Sequence, residues 1–571
     1  MTGKRQAPPE KIRIEGDRKT AIEMGRNRLM VAGALFTAAF TVIGIRVIDV
    51  SVFSENTEPR YTRSIAKDEK HNGRADIVDR NGVLMATSLS TASLFANPRL
   101  VLDPEQAALK LATALPDIDV KVIEKKLRSN RGFVWLKRHL TPRQQYAVNR
   151  LGIPALNFQR EARRMYPMGS LAAHALGFTD IDNKGLTGIE RYFDKELRTR
   201  QDNMALSIDV RVQHVLEHEL GVAMKKFSAI GAAGLVMDVT TGEVVAMSSL
   251  PSFDPNQPGA IAQDLRFNRT TLGVYEMGST FKIFTTAMAL DAGTVSLHGG
   301  YDATNPIRVA RFTIRDFHAK KRWLSVPEIF MYSSNIGTVK MALDVGIPGH
   351  RNFLTTIGMM KPVAIELSET GSPLSPNRWR EINSMTISFG HGLAVSPLHL
   401  VAGVSAMVNG GIYSTPTLIR RNPSETPVGK RVITAETSAK MRRLMRLVVK
   451  NGTGRNAAAP GYLVGGKTGT AEKVSGRGYK KKALISSFVA AFPMHNPRYV
   501  VLAMLDEAKG TKETFGYATG GWVAAPVVGA VVRRIAPVLG MRPIKETDPV
   551  RETLSIEISG KSARERRVAT H

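Results

Sequence analysis

The stretch YEMGSTFKIF, residues 275–284, places Ser279 three positions before Lys282 in an otherwise apolar run. Glycines bound a predicted helix over residues 279–292, and its apolar residues cover nearly the whole circumference, which indicates burial. A buried lysine is costly unless it is paired or neutral, and a neutral lysine can act as a general base. Residues at i and i+3 share a helix face. The stretch therefore predicts a serine nucleophile with a lysine base.

The same spacing occurs a second time, as SIAK from Ser64 to Lys67. That copy lies in SIAKDEKHNG, which is polar and lacks the apolar periodicity of a helix. Nothing around it predicts a buried lysine, and burial is what lowers a lysine pKa enough for base catalysis. We therefore predict that only the copy at Ser279 and Lys282 is catalytic.

A serine activated by lysine needs further polar groups, and the pattern Ser-x-Asn supplies candidates. It occurs at residues 54–56, 333–335 and 375–377. Near the middle copy, Ser325 and Glu328 have capping-box spacing for a short helix through Tyr332. A second helix is predicted after Asn335. The middle copy therefore forms a turn between helices, which can project Ser333 and Asn335 into a cleft.

The pattern Lys-Thr-Gly occurs once, in LVGGKTGTAEKV, as Lys467, Thr468 and Gly469 followed by Thr470. Glycines are unusual inside a strand unless another backbone approaches closely, as a peptide substrate would. Each short pattern alone is close to chance. Together, STFK, SSN and KTGT follow one another at spacings of 54 and 134 residues, which is a strong indication of one active site.

This trio resembles that of the penicilloyl serine transferases, which include the penicillin-binding proteins and β-lactamases. A wider set of motifs resembles those of the class B penicillin-binding proteins, and most of all those of their FtsI division type. These are YEMGSTFK, LSIDVRVQ, ISFGHGLAVSPLHL and GGKTGTAEK, with GRADIVDRNG, YPMGSLAAHALGF and GLTGIERYFD upstream. The likeness covers roughly residues 28–535. Met277 departs from it, because the family often has proline there, but this change removes no chemical group.

The resemblance implies the penicillin-binding transpeptidase fold, an α/β (α+β) architecture with an antiparallel sheet flanked by helices. It implies a peptidoglycan D,D-transpeptidase that cross-links stem peptides during septal cell-wall synthesis and is acylated by β-lactams. By the same likeness Ser279 is the nucleophile and Lys282 its base. Ser333 passes a proton to the leaving nitrogen, and Lys467 keeps Lys282 neutral by repulsion.

The substrate-binding residues implied by the family are Asn335, Thr468, Gly469 and Thr470. Asn335 holds the substrate amide, and the two threonines help to hold the terminal carboxylate. The backbone N–H groups of Ser279 and Thr470 form the expected oxyanion hole. No metal or organic cofactor is implied.

The composition limits the partners. Among 571 residues, 79 are lysine or arginine and 50 are acidic, which gives a formal net charge of +29. An anionic membrane face or acidic polymer fits this excess. The sequence lacks zinc-ligand spacing, a basic zipper and an RNA-binding aromatic signature, so we expect no nucleic-acid partner. It has no cysteine, which excludes disulfides, thiol nucleophiles and cysteine-ligated zinc.

The run LMVAGALFTAAFTVIGI, residues 29–45, has no charged residue in its 17 positions and is just long enough to span a membrane. The 28 residues before it contain eight lysines and arginines and four acidic residues. The positive-inside rule therefore predicts a cytoplasmic N-terminus, with everything after Arg46 outside. No small-residue cleavage site closes the run convincingly, which favours an uncleaved anchor. With the resemblance, this predicts a single-pass protein of the bacterial inner membrane with a periplasmic catalytic domain.

The patterns predict five segments along the chain. They are a cytoplasmic tail at 1–28, a transmembrane helix at 29–46, a mixed pedestal domain at 47–205, a transpeptidase domain at 206–538 and a polar, mobile tail at 539–571. Strand-like runs lie near 232–250 and 462–505, with helical segments between them. Strands at both ends of a block imply one sheet assembled from distant segments. In the pedestal, residues 79–82 predict a hairpin turn.

Other functions share parts of this pattern. A D,D-carboxypeptidase or β-lactamase forms the same acyl-enzyme, but hydrolysis of a soluble drug requires neither pedestal nor anchor. A non-catalytic β-lactam sensor must signal inward, and 28 cytoplasmic residues leave no room for an effector domain. No convincing glycosyltransferase site precedes residue 206, so the resemblance implies a separate FtsW-type glycan polymerase and other division proteins as partners. Chemistry alone leaves division and elongation roles open.

Overall fold

The computed structural model describes residues 15–48, 73–309, 312–422, 429–475, 478–556 and 558. The chain divides into two units, Met1–Lys70 and His71–His571. In the first unit, helix α1 spans Glu15–Ile48 and contains the predicted apolar run. Its apolar side chains are exposed, as Leu29 and Phe36 show, and the Thr37 hydroxyl donates within the helix to the Gly33 carbonyl. This helix is long and apolar enough to cross a membrane.

The first part of the second unit, residues 73–205, combines strands and short helices. The strands are β1 Ile77–Val78, β2 Leu84–Ala96, β3 Val134–Leu140, β4 Leu156–Met165 and β5 Met204–Ala205. The helices are α2 Pro104–Ala114, α3 Val120–Leu127, α4 Pro142–Asn149, α5 Ala173–Leu176, α6 Gly188–Tyr192 and α7 Asp194–Thr199. Strand β2 pairs antiparallel with β1, β3 and β4, which confirms the predicted hairpin turn between β1 and β2.

The remaining strands belong to the catalytic part of the unit. They are β6 Gly231–Asp238, β7 Val244–Leu250, β8 Tyr275–Glu276, β9 Gly300–Asp302, β10 Ile307–Val309, β11 Phe312–Ile314, β12 Trp323–Ser325, β13 Ala394–Val395, β14 Ile412–Tyr413, β15 Lys430–Arg431, β16 Gly465–Ser475, β17 Gly478–Phe492 and β18 Tyr499–Asp506. The remaining helices are α8 Val210–Lys226, α9 Lys282–Asp291, α10 Val326–Tyr332, α11 Asn335–Thr356, α12 Glu381–Ser388, α13 Pro397–Val408, α14 Ala435–Asn451, α15 Gly520–Val523, α16 Ala525–Val538 and α17 Val550–Thr553.

Five of these strands form one antiparallel sheet in the order β16-β17-β18-β6-β7. Helices cover both faces, so alternate residues of a strand enter different cores. In β18, Val501 belongs to the core that includes residues of α8 and α16, whereas Leu502 belongs to the core that includes residues of α9, α13 and α14. The prediction of one sheet assembled from distant segments, with helices on its faces, is confirmed. Strand β16, which carries the Lys-Thr-Gly pattern, lies at the sheet edge.

The predicted mobile tail after residue 539 is wrong for its first part. The Ile544 N–H donates to the Gly461 carbonyl, and Leu554 is only 7% exposed in the core. The Ser555 carbonyl accepts hydrogen bonds from the Arg443 guanidinium. A few apolar residues among many charged ones suffice to dock this segment. Residues 557 and 559–571 lie outside the described part of the chain.

Candidate active site

Ser279 lies in a 3₁₀ turn, Gly278–Phe281, that leads directly into α9. Gly278 has a left-handed backbone (φ +53°), and its N–H donates to the Gly390 carbonyl at 3.1 Å. A Cβ atom at Gly278 would lie 2.5 Å from the Thr470 carbonyl oxygen, so only glycine fits there. The turn that carries Ser279 is therefore packed directly against β16.

The Ser-Ser-Asn turn lies between α10 and α11, as predicted. The Ser325 N–H donates to the Glu328 carboxylate at 3.0 Å, which confirms that side of the capping box. Ser333 has a left-handed backbone (φ +61°), an uncommon conformation for a residue with a Cβ atom that costs about 1–3 kcal/mol. Asn335 is the first residue of α11.

Two lysines converge on this turn. The Lys282 amine lies 2.5 Å from the Ser333 carbonyl oxygen, 3.0 Å from the Ser333 hydroxyl and 2.7 Å from Asn335 Oδ1. The Lys467 amine lies 2.9 Å from the same Ser333 hydroxyl. Lys282 is 1% exposed and Lys467 is fully buried. These contacts join one or more residues from each of the three patterns: Lys282, Ser333, Asn335 and Lys467.

The burial of these lysines changes their protonation. Burial, with the nearby Lys467 as a second cause, lowers the pKa of Lys282 well below its ordinary value. Burial also lowers the pKa of Lys467 to about 7. The sequence predicted both causes for Lys282, and burial is the larger of the two. A neutral amine near pH 7 can accept a proton from a hydroxyl.

The contact between Lys282 and Ser279 differs from the simplest expectation. Residues at i and i+3 eclipse in a 3₁₀ turn, so the two residues still share a face. In the described part of the chain, however, the hydrogen bonds of the Lys282 amine go to Ser333 and Asn335 and not to the Ser279 hydroxyl. The role of Lys282 as the base for Ser279 therefore stays a prediction.

The glycine of the Lys-Thr-Gly pattern has a structural reason that the sequence did not reveal. A Cβ atom at Gly469 would lie 2.4 Å from the Ser487 hydroxyl and 2.6 Å from the Met277 carbonyl oxygen. The groups that approach β16 at this glycine belong to the protein itself. The approach of a peptide substrate to Gly469 stays a prediction. Thr468 is 8% exposed, and the Thr470 hydroxyl accepts a hydrogen bond from the Gly520 N–H at 3.0 Å.

Two residues next to the site were missed by sequence reasoning. The Thr453 and Thr468 hydroxyl oxygens lie 3.0 Å apart. The Asp316 carboxylate accepts hydrogen bonds from Ser334 and from the first residues of α11. Neither belongs to a recognisable spacing pattern, because each reaches the site from a separate loop. The sequence offered one clue to Asp316, namely an acidic residue upstream of the Ser-Ser-Asn turn that could cap the following helix, and none to Thr453.

None of the hydrogen bonds described above involves a rejected copy of the patterns. Ser64, Lys67 and the Ser-x-Asn copy at 54–56 lie outside the described residues. The copy at 375–377 lies in a loop that belongs to no helix or strand. The active-site cluster is formed by the copy at 333–335.

The sequence matches two family descriptions. Residues 232–533 match the "Penicillin binding protein transpeptidase domain", and residues 69–219 match the "Penicillin-binding Protein dimerisation domain". The first match alone covers more than half of the chain, and it contains the sheet except for the first residue of β6, together with all three sequence patterns. The chain therefore belongs to the penicillin-binding proteins and is a serine transpeptidase of that family.

Comparison with named proteins identifies the type of penicillin-binding protein within the family. The chain is 43% identical to "Probable peptidoglycan D,D-transpeptidase FtsI" of Caulobacter vibrioides over 82% of each chain. It is 30% identical to "Peptidoglycan D,D-transpeptidase FtsI" of Escherichia coli over 90% of this chain and 92% of the relative. The solved transpeptidase domain of Burkholderia pseudomallei penicillin-binding protein 3 is 34% identical (TM-score 0.54), covering 60% of this chain and 98% of that one. The chain is a class B penicillin-binding protein of the FtsI type.

Proposed function

We propose that this transpeptidase cross-links peptidoglycan stem peptides at the division septum through an acyl-enzyme on Ser279. The observation that carries the proposal is the pair of buried lysines, Lys282 and Lys467, that share the Ser333 hydroxyl beside the nucleophile turn. Burying two amines that share one neutral hydroxyl is costly for stability. Its use is chemical, because it supplies an amine that is neutral near pH 7.

Acylation begins when Ser279 attacks the penultimate D-alanyl carbonyl carbon of a stem peptide. The neutral Lys282 amine takes the hydroxyl proton as the new C–O bond forms. The developing oxyanion is held by the backbone N–H groups of Ser279 and Thr470, and each such donor contributes roughly 3 kcal/mol in comparable enzymes. The packing of Gly278 against Thr470 supports this role, because it holds the nucleophile turn beside β16.

Departure of the terminal D-alanine requires a proton on its nitrogen. Ser333 is suited to deliver it, because its hydroxyl lies within hydrogen-bond distance of both lysines. The hydroxyl gives its proton to the leaving nitrogen and is refilled by the protonated Lys282. An amine of a neighbouring stem then attacks the ester, which forms the cross-link and returns Ser279. Asn335 holds the substrate amide, while Lys467, Thr468, Gly469 and Thr470 form the site for the terminal carboxylate.

The direct test is covalent labelling of the purified full-length protein with a fluorescent penicillin, followed by peptide mass spectrometry. We expect one labelled residue, Ser279, and no label in Ser279→Ala, with circular dichroism unchanged. Ser64→Ala is the matched control, since Ser64 has the same spacing to a lysine, and it should label at the wild-type rate. Label on Ser64, or wild-type labelling of Ser279→Ala, would refute the proposal.

A second measurement separates transfer from hydrolysis. With a stem-peptide donor and an amine acceptor, we expect cross-linked product and slow turnover of β-lactam. Rapid, repeated consumption of β-lactam by the wild-type protein would instead identify a hydrolase that uses the same acyl-enzyme.

We further propose that α1 anchors the protein in the bacterial inner membrane with its N-terminus in the cytoplasm, and that this helix docks a membrane-embedded glycan polymerase of the FtsW type. Small residues permit close packing between membrane helices. The apolar run of the helix contains several, among them Gly33, Ala34, Ala38, Ala39 and Gly44. Replacing residues 29–45 with an unrelated spanning helix should impair growth while penicillin labelling continues. Full complementation would exclude the docking role, and reporter fusions at each end test the orientation.

A further inference from the structure

Asp316 connects a separate loop to the Ser-Ser-Asn turn. It follows β11, and its carboxylate accepts three hydrogen bonds from the start of α11. Oδ2 accepts from the Ser334 hydroxyl at 2.7 Å, and Oδ1 accepts from the backbone N–H groups of Asn335 at 2.5 Å and Ile336 at 3.0 Å. The first N–H groups of a helix have no partner within the helix. Asp316 therefore caps α11 from outside it, where a negative charge is also favourable.

The same loop fixes the side-chain amide of Asn335. The Asn335 Nδ2 group donates to the Arg315 carbonyl at 2.8 Å, and this leaves Oδ1 directed at the Lys282 amine at 2.7 Å. An amide rotated by half a turn would place its NH₂ group against the Lys282 amine. Residues 315 and 316 thus decide how Asn335 meets the catalytic lysine, although neither lies in any of the three patterns.

Asp316 also acts on Lys282 through its charge. Three ionisable groups face this lysine from other elements: Lys467 on β16, His391 in the loop after α12, and Asp316 after β11. Burial and Lys467 lower the Lys282 pKa, whereas Asp316 raises it. The carboxylate thus opposes the effects that make Lys282 neutral.

We propose that Asp316 is a positioning residue of the transpeptidase, whose carboxylate holds the Ser333-to-Asn335 turn in register with Lys282 and Lys467. The proposal rests on the proposed function, since it assigns Asp316 to the same site. It predicts two separable contributions. One is the set of hydrogen bonds to the turn, and the other is the negative charge near Lys282.

Two variants separate these contributions in the full-length protein. Asp316→Asn keeps an oxygen that can accept from the helix N–H groups but removes the charge. Asp316→Ala removes both. The measurement is the second-order rate constant for acylation by a fluorescent penicillin from pH 5.5 to 9.5, normalised to the folded fraction from circular dichroism.

We expect Asp316→Ala to acylate about 10- to 100-fold more slowly across the pH range, because a displaced turn misplaces Ser333 and Asn335. Asp316→Asn should keep most of the rate, and the rising limb of its pH profile should move to lower pH. The sign follows from the charge, since removal of an anion destabilises the ammonium form of Lys282 and lowers its pKa. The matched control is Asp302→Ala. Asp302 caps the Thr304 N–H in the same region and should leave the profile unchanged.

Wild-type rate and pH profile in both Asp316 variants would overturn the proposal. Equal losses in the two variants with an unmoved profile and a lower melting temperature would also overturn it, because they would describe a helix cap without a role in the site. The wild-type protein in the same series tests the proposed function. A wild type without label at Ser279 would overturn both proposals, whereas a labelled wild type with unaffected variants overturns only this one.

Discussion

Two clusters of buried ionisable side chains in the second unit differ in the groups that those side chains contact. In the segment before the catalytic part, Arg74 and Arg164 contact the Glu190 carboxylate at 2.8 and 2.6 Å, and all three side chains are at most 1% exposed. In the catalytic part, Lys282 and Lys467 are equally buried but meet at a neutral hydroxyl, 3.0 and 2.9 Å away. One cluster pairs opposite charges and the other brings like charges together.

The difference separates structural from catalytic use of a buried charge. The attraction between opposite charges offsets the free-energy cost of burying them away from water. Removing one partner leaves the other buried without that compensation. Burial lowers the pKa of both lysines, and repulsion by Lys467 lowers the pKa of Lys282 further. The Glu190 cluster ties α6 to β4 and to the residues before β1. The lysine cluster lowers stability in order to keep an amine neutral.

The largest expected effect comes from Lys282→Met, which keeps an unbranched side chain, one atom shorter than lysine, and removes the amine. Acylation by a fluorescent penicillin should fall by about 10²- to 10⁴-fold, the usual contribution of a general base. The melting temperature should hold or rise, because no buried amine remains. Lys282→Arg should also fail to acylate, since guanidinium keeps its proton at neutral pH. Wild-type acylation by Lys282→Arg would exclude Lys282 as the base.

The opposite result is expected from Glu190→Ala. This change leaves two buried arginines without their carboxylate, and the free energy of unfolding should fall by about 3–5 kcal/mol. Urea denaturation measures it, and the folded fraction should still acylate at the wild-type rate. Glu436→Ala is the control, because the Glu436–Lys440 pair lies on the surface and Glu436 is 79% exposed. An equal loss in the free energy of unfolding for the two variants would show that the buried pairing stabilises the protein no more than a surface pair does.

A smaller effect should appear in the pH dependence of acylation. The rate rises with pH as Lys282 loses its proton and falls above a pH of about 7 as Lys467 loses the charge that attracts the β-lactam carboxylate. Because the lysines interact, the two apparent pKa values belong to the pair. Lys467→Arg keeps its charge at high pH, so the falling limb should disappear. A falling limb at the same pH in this variant would assign it to another group.

The smallest effect is expected from Thr453→Val, which removes one hydrogen bond to Thr468. A single neutral hydrogen bond contributes about 0.5–1.5 kcal/mol, so acylation should slow by roughly two- to tenfold. Thr453→Ser keeps the hydroxyl and should restore the rate. Equal rates in the valine and serine variants would mean that Thr453 does not orient Thr468.

Local sequence patterns were sufficient to predict much of the fold and of the candidate site. The apolar helix after Ser279 is buried, the Ser-Ser-Asn turn lies between two helices, and β6 and β7 share a sheet with β16. These features depend on periodicity, capping and turn chemistry within a few residues of one another. The order of the patterns then sufficed to predict one site.

Contacts between distant loops could not be read in the same way. Asp316 follows β11, which pairs antiparallel with β10, and from there its carboxylate reaches the helix start at Asn335. The Lys282 amine, on α9, contacts Ser333 and Asn335, which lie at the junction of α10 and α11. The sequence around Lys282 alone contains no sign of these acceptors. The docking of Leu554 in the core likewise depends on partners far away in the sequence.

The left-handed backbone of Ser333 restricts how this position can change under antibiotic selection. Threonine keeps the hydroxyl, but a β-branched side chain is strongly disfavoured at φ +61°. Glycine accepts the backbone without strain but removes the hydroxyl that both lysines share. Neither small substitution preserves conformation and chemistry together. We expect drug resistance to arise by gradual change elsewhere around the site and Ser333 to stay serine.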